Sequence, residues 1–423
     1  MRVLLIGNGG REHALLWRFR HDAPQAELHV TPGNAGMEAW ATRHDVAVDD
    51  SPGILQLALR IQADLVVAGP EAALAAGTAD LLGTQGIPVF GPPEHAARLE
   101  TSKLFAKEVM ASCGVLTARH WQVDDEADLR EAVAGGARVL KADGLASGKG
   151  VVVTATAEAA LEAGRLWLKR FGAPVVAEEL LPGREVSVMA LCDGTRALML
   201  PSAQDHKRLQ DGDRGPNTGG MGTVSPGTHH GRLGMDEPTL LRRTQEEVIA
   251  PVLAEMRARE VPFVGVLFAG LMVEPETGKI RVLEFNARLG DPETQVVVRR
   301  LDGSLLEAMR ACAAGNASRV RLGIRPEAAA CVVLAADGYP DAPRHGDPIE
   351  GLEEAGALEA VTVFHAGTAR SPEGRVVVRG GRVLGVCAAG GSEAQALERA
   401  YSASALIRWP GVQYRRDLGR TGA

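Results

Sequence analysis

A chain of 423 residues is too long for one compact core and implies two to four domains. Its 45% apolar and 23% charged content is that of an ordinary globular protein, and a net charge of −7 leaves no overall field to attract nucleic acid or anionic lipid. The five cysteines (Cys113, Cys192, Cys312, Cys331 and Cys387) form no CxxC pair and no zinc-like spacing with histidine, so reduced thiols and a cytoplasmic location are expected.

The first apolar run, residues 2–6, meets Gly7-Asn8-Gly9-Gly10 and then a helical pattern from Arg11 to Arg20. That run is too short for a signal core or a membrane span. Further apolar segments at Leu28–Val30, Leu65–Ala68 and Val89–Phe90 alternate with helical stretches, which predicts a parallel α/β sheet over about the first hundred residues. A helix is expected from Ser102 to Ser112. Strands at Val139–Lys141 and Val151–Thr154 flank a glycine-rich loop, followed by a helix over Ala157–Arg170 and strands at Val175–Glu178 and Val186–Leu191. Together they predict a small antiparallel lid over about 117–190. Residues 192–322 read as a larger α+β unit. It holds a polar glycine loop at Asp211–Gly222, a helix around Leu240–Arg259, and strands at Val266–Val273 and Ile280–Phe285. Beyond Arg325 the pattern is β-rich and closes on a helix at Ser392–Ile407. The expected domains are 1–101, 102–325 including the lid, and 326–423.

Four segments carry chemistry. Gly7–Gly10 feeds a helix N-terminus, a ready anion site, but Glu12 stands where a dinucleotide fingerprint needs its third glycine. It reads as a phosphate site for a smaller ligand or as a structural turn. The loop Lys141–Gly150 lacks the GxxxxGK[ST] pattern, yet its small residues let backbone N–H groups wrap phosphates between two lysines. Glu178-Glu179 and Glu185 flank Leu180-Leu181-Pro182-Gly183-Arg184; they read equally as surface charge or as an adenine and ribose edge. In Glu284-Phe285-Asn286-Ala287-Arg288, strand alternation puts Glu284 and Asn286 on one face, two oxygen donors suited to magnesium, with Arg288 placed to clamp a phosphoryl group. Only seven of 46 basic residues are lysine, and Lys103, Lys107, Lys141, Lys149 and Lys207 lie in or beside these segments.

In this order, Lys103, the 141–150 loop, Glu178 with Glu185, and Glu284 with Asn286 resemble the ATP-grasp fold. The segments GNGGREHAL, PGNAG, GPE, FGP, QDHKR, GPNTGGMG, EFNARLGDPETQ, FHAGT and GGRVL resemble the glycinamide ribonucleotide synthetase family across essentially the whole chain. The resemblance implies a parallel N-terminal domain, an ATP-grasp domain with a mobile antiparallel lid, and a small β-rich C-terminal domain. It also implies a carbon–nitrogen ligase that uses ATP with Mg²⁺ or Mn²⁺ to join glycine to 5-phosphoribosylamine through a glycyl phosphate. The implied ATP contacts are Lys103, Lys141, Asp143, Gly144, Ser147, Gly148, Lys149, Gly150, Glu178, Glu179, Leu180 and Glu185. Glu284 and Asn286 would hold the metal, and Lys141, Arg288 and Asp291 would serve catalysis. Gly9, Gly10, Glu71, Asp213, Asn217, Thr218, Gly219 and Gly220 would form the glycine and phosphoribosylamine pocket. No nucleic-acid or membrane partner is expected, and the chain is expected as a monomer or weak homodimer. Ala73 replaces a proline frequent in the family, and the connection before Val175 is short, which bears on lid motion but removes no implied ligand. The rival readings are an ATP-grasp ligase for another acid, an NAD-dependent oxidoreductase and a nucleotide sensor.

Overall fold

Val3–Ile6 is buried on both faces, as a strand inside a parallel sheet must be. In the computed structural model, which describes residues 1–144, 150–228 and 233–419, this strand, Arg2–Gly7, sits centrally. It pairs in parallel with Glu27–Pro32 on one side and Leu65–Ala68 on the other; Thr42–Arg43 and Val89–Phe90 form the edges. The chain therefore reverses its direction of travel across the sheet between Arg2–Gly7 and Leu65–Ala68. Such a switch point opens a crevice at the carboxyl ends of the strands, where ligands bind in open α/β sheets. Gly7–Gly10 and Gly69–Glu71 occupy those ends.

The lid is a four-stranded antiparallel sheet in the order His120–Val123, Val175–Glu179, Ala137–Ala142, Val151–Val153. The helices Glu126–Ala134 and Ala157–Phe171 cover it, and they bury a core of their own around Val123, Leu129, Leu140, Ala160 and Ala177. One expectation about the lid is corrected. The strand expected to close the lid, Val186–Leu191, is part of Arg184–Asp193 and pairs along its length with Val264–Val273 in a different sheet. Its residues from Val186 to Cys192 are all buried, so it needs cover on both faces, which a lid with one wet face lacks. The lid's outer strand is instead His120–Val123, too short and polar to stand out by pattern.

The central antiparallel sheet runs Ala197–Met199, Arg184–Asp193, Val264–Val273, Ile280–Asn286. The third large sheet runs Gln204–Asp205, Gly222–Ser225, Ala328–Ala335, Arg382–Gly390, Val361–His365, so it draws two strands from well before the β-rich tail. Between those two strands, the stretch expected as a glycine loop forms a hairpin of Arg208–Gln210 and Arg214–Asn217. The helix expected over 240–259 is interrupted: Glu237–Thr244 and Ala250–Ala258 are joined by a wider π turn, Gln245–Ile249, just ahead of Pro251, which has no N–H to donate. One apolar cluster joins the N-terminal sheet, the central sheet and the C-terminal sheet through the helix Glu293–Arg300.

Candidate active site

Ser102 caps the helix Lys103–Ser112 by accepting from the Phe105 N–H. Asp143 completes that end: its Oδ1 accepts from the N–H groups of Lys103 at 2.6 Å and Leu104 at 3.3 Å, a carboxylate on a helix N-terminus. Lys103 Nζ in turn donates to the Gly144 carbonyl at 3.1 Å. The start of the glycine-rich loop is thus fastened to this helix, while Ser147, Gly148 and Lys149 lie outside the described residues. Gly150 is described, and its carbonyl accepts from Ala142 N.

Glu178 is not surface charge. It is 2% exposed and lies between two ammonium groups, Lys141 Nζ at 2.9 Å and Lys107 Nζ at 2.8 Å. Burial alone would raise its pKa, but the two lysines outweigh burial and hold the carboxyl below its usual range. Each lysine also reaches toward the strand Ile280–Asn286. Lys141 donates to the Leu283 carbonyl, and Lys107 donates to Thr117 Oγ1, which donates to the Val282 carbonyl. The resemblance assigned Lys107 no role. Its signal was present: it stands four residues after Lys103 on one helix, and it is one of few lysines.

Along that strand, Phe285 is buried, while Glu284 and Asn286 point to the other side as alternation requires. Burial pushes the Glu284 pKa up, but Lys207, Lys141, Lys103 and Arg288 together pull it below the ordinary value. Among the described residues no three His, Cys, Asp or Glu side chains form a metal cage. Glu284 and Asn286 are two oxygen donors that could serve a magnesium ion, with phosphate oxygens and water completing the shell that ion prefers. Glu185, on Arg184–Asp193 two strands away in the same sheet, is bonded by Lys207 Nζ. Glu179 accepts from the Arg119 N–H at 3.0 Å, and Leu180 is half-exposed where the chain leaves the lid.

Arg288 lies beyond the strand end and links two domains. Its guanidinium meets Glu71 at 3.3 Å and Glu100 at 3.1 Å, and these acids keep it charged despite burial. Glu100 was not anticipated; its other oxygen accepts from the Ala287 N–H. Asp291 accepts from Gln295 Nε2 at 2.8 Å and pairs with Arg382, which also donates to the Asp291 carbonyl. The glycine turn of the first strand abuts this group. A Cβ on Gly10 would stand 2.6 Å from Gln295 Nε2, and one on Gly9 3.2 Å from Asp291 Oδ2. Asn34 donates to the carbonyls of Asn8 and His365, which draws PGNAG and FHAGT onto the same turn.

The structure thus gathers Gly9, Gly10, Glu71, Arg288, Asp291 and Gly219–Gly220 into one cleft. Gly219 reaches it through Arg382, and Gly220 packs on Asp205 and Pro292. Thr218 Oγ1 donates back to the Lys207 carbonyl, and Asn217 pairs with Arg208 in the hairpin. Asp213, in the hairpin turn, is bound by Arg415. Residues that pattern reading did not assign include Asp205 and Glu293, two carboxyls whose pKa burial raises (Asp205's further by the charge of Glu293), and Arg382.

A parallel substrate domain, an antiparallel lid and a central sheet that closes on a lysine-lined cleft with one Glu–Asn pair define the ATP-grasp class. Family models match residues 1–100 (phosphoribosylglycinamide synthetase, N domain), 101–294 (its ATP-grasp A domain) and 329–421 (its C domain). The chain belongs to the phosphoribosylglycinamide synthetase family. It is 46% identical to the phosphoribosylamine–glycine ligase of Caulobacter vibrioides, covering 99% of this chain and 98% of that relative. Identity to the Streptomyces coelicolor ligase is 47% over the whole of both chains. The crystal structure of the Thermotoga maritima phosphoribosylamine–glycine ligase is similar at a TM-score of 0.84 and 35% identity, over 99% of this chain and 100% of that one. The biotin carboxylase domain of Hydrogenobacter thermophilus 2-oxoglutarate carboxylase, crystallised with MgADP and bicarbonate, shares the fold at a TM-score of 0.74 and 18% identity, over 97% of this chain and 91% of that one.

Proposed function

We propose that this chain joins glycine to 5-phosphoribosylamine at the expense of ATP, giving glycinamide ribonucleotide, ADP and phosphate in purine synthesis. The observation that carries the mechanism is the convergence of Lys103, Lys141, Lys207 and Arg288 on Glu284, beside Asn286. That many cations around one carboxylate suit a polyphosphate bound with a divalent ion. Mg²⁺ or Mn²⁺ held by Glu284 and Asn286 would neutralise phosphate charge.

The residues divide the work. Lys103 and Lys141 hold phosphate oxygens, with Asp143, Gly144 and Gly150 shaping the loop around them. Glu178 and the backbone at Glu179–Leu180 face adenine, and Glu185 faces the ribose. Gly9, Gly10, Glu71, Asn217, Thr218, Gly219 and Gly220 form the pocket for the other substrates. Glycine's carboxylate oxygen attacks the γ-phosphorus of ATP, the bond to the bridging oxygen breaks and ADP leaves. The 1-amine of phosphoribosylamine then attacks the acyl carbon, loses a proton and expels phosphate. Arg288, oriented by Glu71 and Glu100, stabilises the transferring phosphoryl, and Asp291 orders the loop beside it. The lid excludes water from the acyl phosphate. No nucleophilic side chain is required. Among the described residues no helix is long and apolar enough to cross a membrane.

The test is ADP release with ATP, Mg²⁺ and freshly generated phosphoribosylamine, with and without glycine, beside alanine and formate. Glycine-dependent turnover that falls at least about a hundredfold in Glu284→Ala is expected. Turnover with another acid and not with glycine would overturn the substrate assignment. ATP binding without any ADP release would make the protein a sensor.

A further inference from the structure

Residues 415–419 leave the C-terminal domain and return to the hairpin segment that borders the cleft. Arg415 is 1% exposed, yet all three guanidinium nitrogens are used. Nε and one terminal nitrogen grip Asp417 at 2.7 Å each, and the other donates to Asp213 at 2.5 Å and to the Arg208 carbonyl at 3.3 Å. The backbone adds to this clasp. Gly212 N donates to Asp417, Arg416 N donates to Asp211, and Gly419 N donates to His206 Nε2. Leu418 packs directly on Gly222, where a Cβ would stand 2.3 Å from its Cδ1. Both ends of residues 206–222 and the hairpin turn between them are therefore gripped from outside the cleft.

The inner side of the same segment faces the reaction. Lys207 bonds Glu185, and Gly219 accepts from the arginine that also holds Asp291. Outside its own pairing, the segment's backbone is anchored by this clasp, by Gly219 N donating to the Tyr339 hydroxyl, by Arg382, and at its far end by the sheet, where Val333 N donates to the Met221 carbonyl. We infer that Arg415 is a positioning residue for the ligation reaction. It sets the hairpin at the height that places Thr218–Gly220 against glycine and phosphoribosylamine, although it touches neither. The inference rests on the proposed reading of that cleft. Were that reading wrong, the unaltered protein would show no glycine-dependent turnover, which separates the two failures.

Arg415→Ala is expected to raise KM for glycine and phosphoribosylamine about tenfold while the Kd for Mg·ADP, held at the lid hinge, stays within about threefold. Arg415→Lys should recover only part of the loss, because one ammonium cannot fork to Asp417 and reach Asp213 together. Val361→Ala, which weakens the same sheet away from the clasp, serves as the control and should leave both KM values unchanged. If Arg415→Ala does not fold, Asp417→Asn, which takes away the charge of the fork and weakens the Gly212 bond while leaving Asp213 paired, must move KM in the same direction. Unchanged KM values in a folded clasp variant, or an equal rise in Val361→Ala, would overturn the assignment.

Discussion

Gly9 and Gly10 lack side chains because Asp291 and Gln295 occupy the space where a Cβ would go. Gly10→Ala should push Gln295 off Asp291 and break their bond, costing about 1–3 kcal/mol in urea unfolding and lowering turnover as the loop shifts. Arg288→Lys is not a conservative change: a single ammonium cannot span Glu71 and Glu100, and kcat should drop about 10²–10³-fold with the fold intact by circular dichroism. His365 gives a pH signature. Burial first, and Arg370 second, lower its imidazole to about 4, against about 6.5 in an unfolded chain. Between those values the unfolded state binds the extra proton, so His365's contribution is whole above pH ~6.5 and is lost as pH falls toward about 4. The buried His13, lowered in the same direction, adds to the effect. The melting temperature should therefore fall across that window, and less steeply in His365→Asn. At this scale Glu284, Asn286 and Lys141 were legible because each sits in a short motif. Glu100 was not, since it lies in no segment with a chemical pattern of its own; Arg382 sits in GGRVL, but that segment assigns it no role, and the partners of both are remote in sequence.

Among the elements, the helix Lys103–Ser112 and the strands Ala137–Ala142 and Val175–Glu179 meet through Lys107, Glu178 and Lys141. Lys107→Met removes one of the two ammonium groups on buried Glu178; Lys141 still balances the carboxylate's charge, but Glu178 and Thr117 each lose a bond. A loss of about 1–3 kcal/mol is expected in chemical unfolding followed at the lid, with weaker ATP binding because Lys141 is drawn further onto Glu178. Most strands and helices were recognisable from period and punctuation, including the glycine turn and the strand of Glu284. The two misplacements have one cause. Arg184–Asp193 and the pair Gln204–Asp205 and Gly222–Ser225 join strands far away in the chain, and a short-range pattern reports that a segment is extended without naming its neighbour.

Across the whole molecule, the apolar cluster that runs from the first sheet to the last excludes the lid, which keeps its own smaller core. Arg18 reinforces the larger unit by donating to the carbonyls of Val298 and Leu301 from the first helix. Hydrogen exchange should accordingly show the amides of Val264–Val273 protected up to global unfolding, and those of Val175–Glu179 opening at lower free energy. Mg·ADP should slow exchange in the lid selectively; equal protection of both strands without nucleotide would contradict a separately moving lid.

Local spacing points to the type of chemistry: small residues between two lysines, two oxygen donors one strand-repeat apart, and a glycine turn ahead of a helix. Each depends on residues within about ten positions of one another, a range over which backbone geometry is nearly set by residue type. Long-range closure settles which groups meet. Arg288 finds Glu71 and Glu100, Glu178 is enclosed by two lysines, and Arg415 finds Asp213 across a separation of 202 residues. These pairings follow from sheet order and shared burial. Both are properties of the packed chain, because a buried charge is held wherever folding leaves an opposite charge to neutralise it.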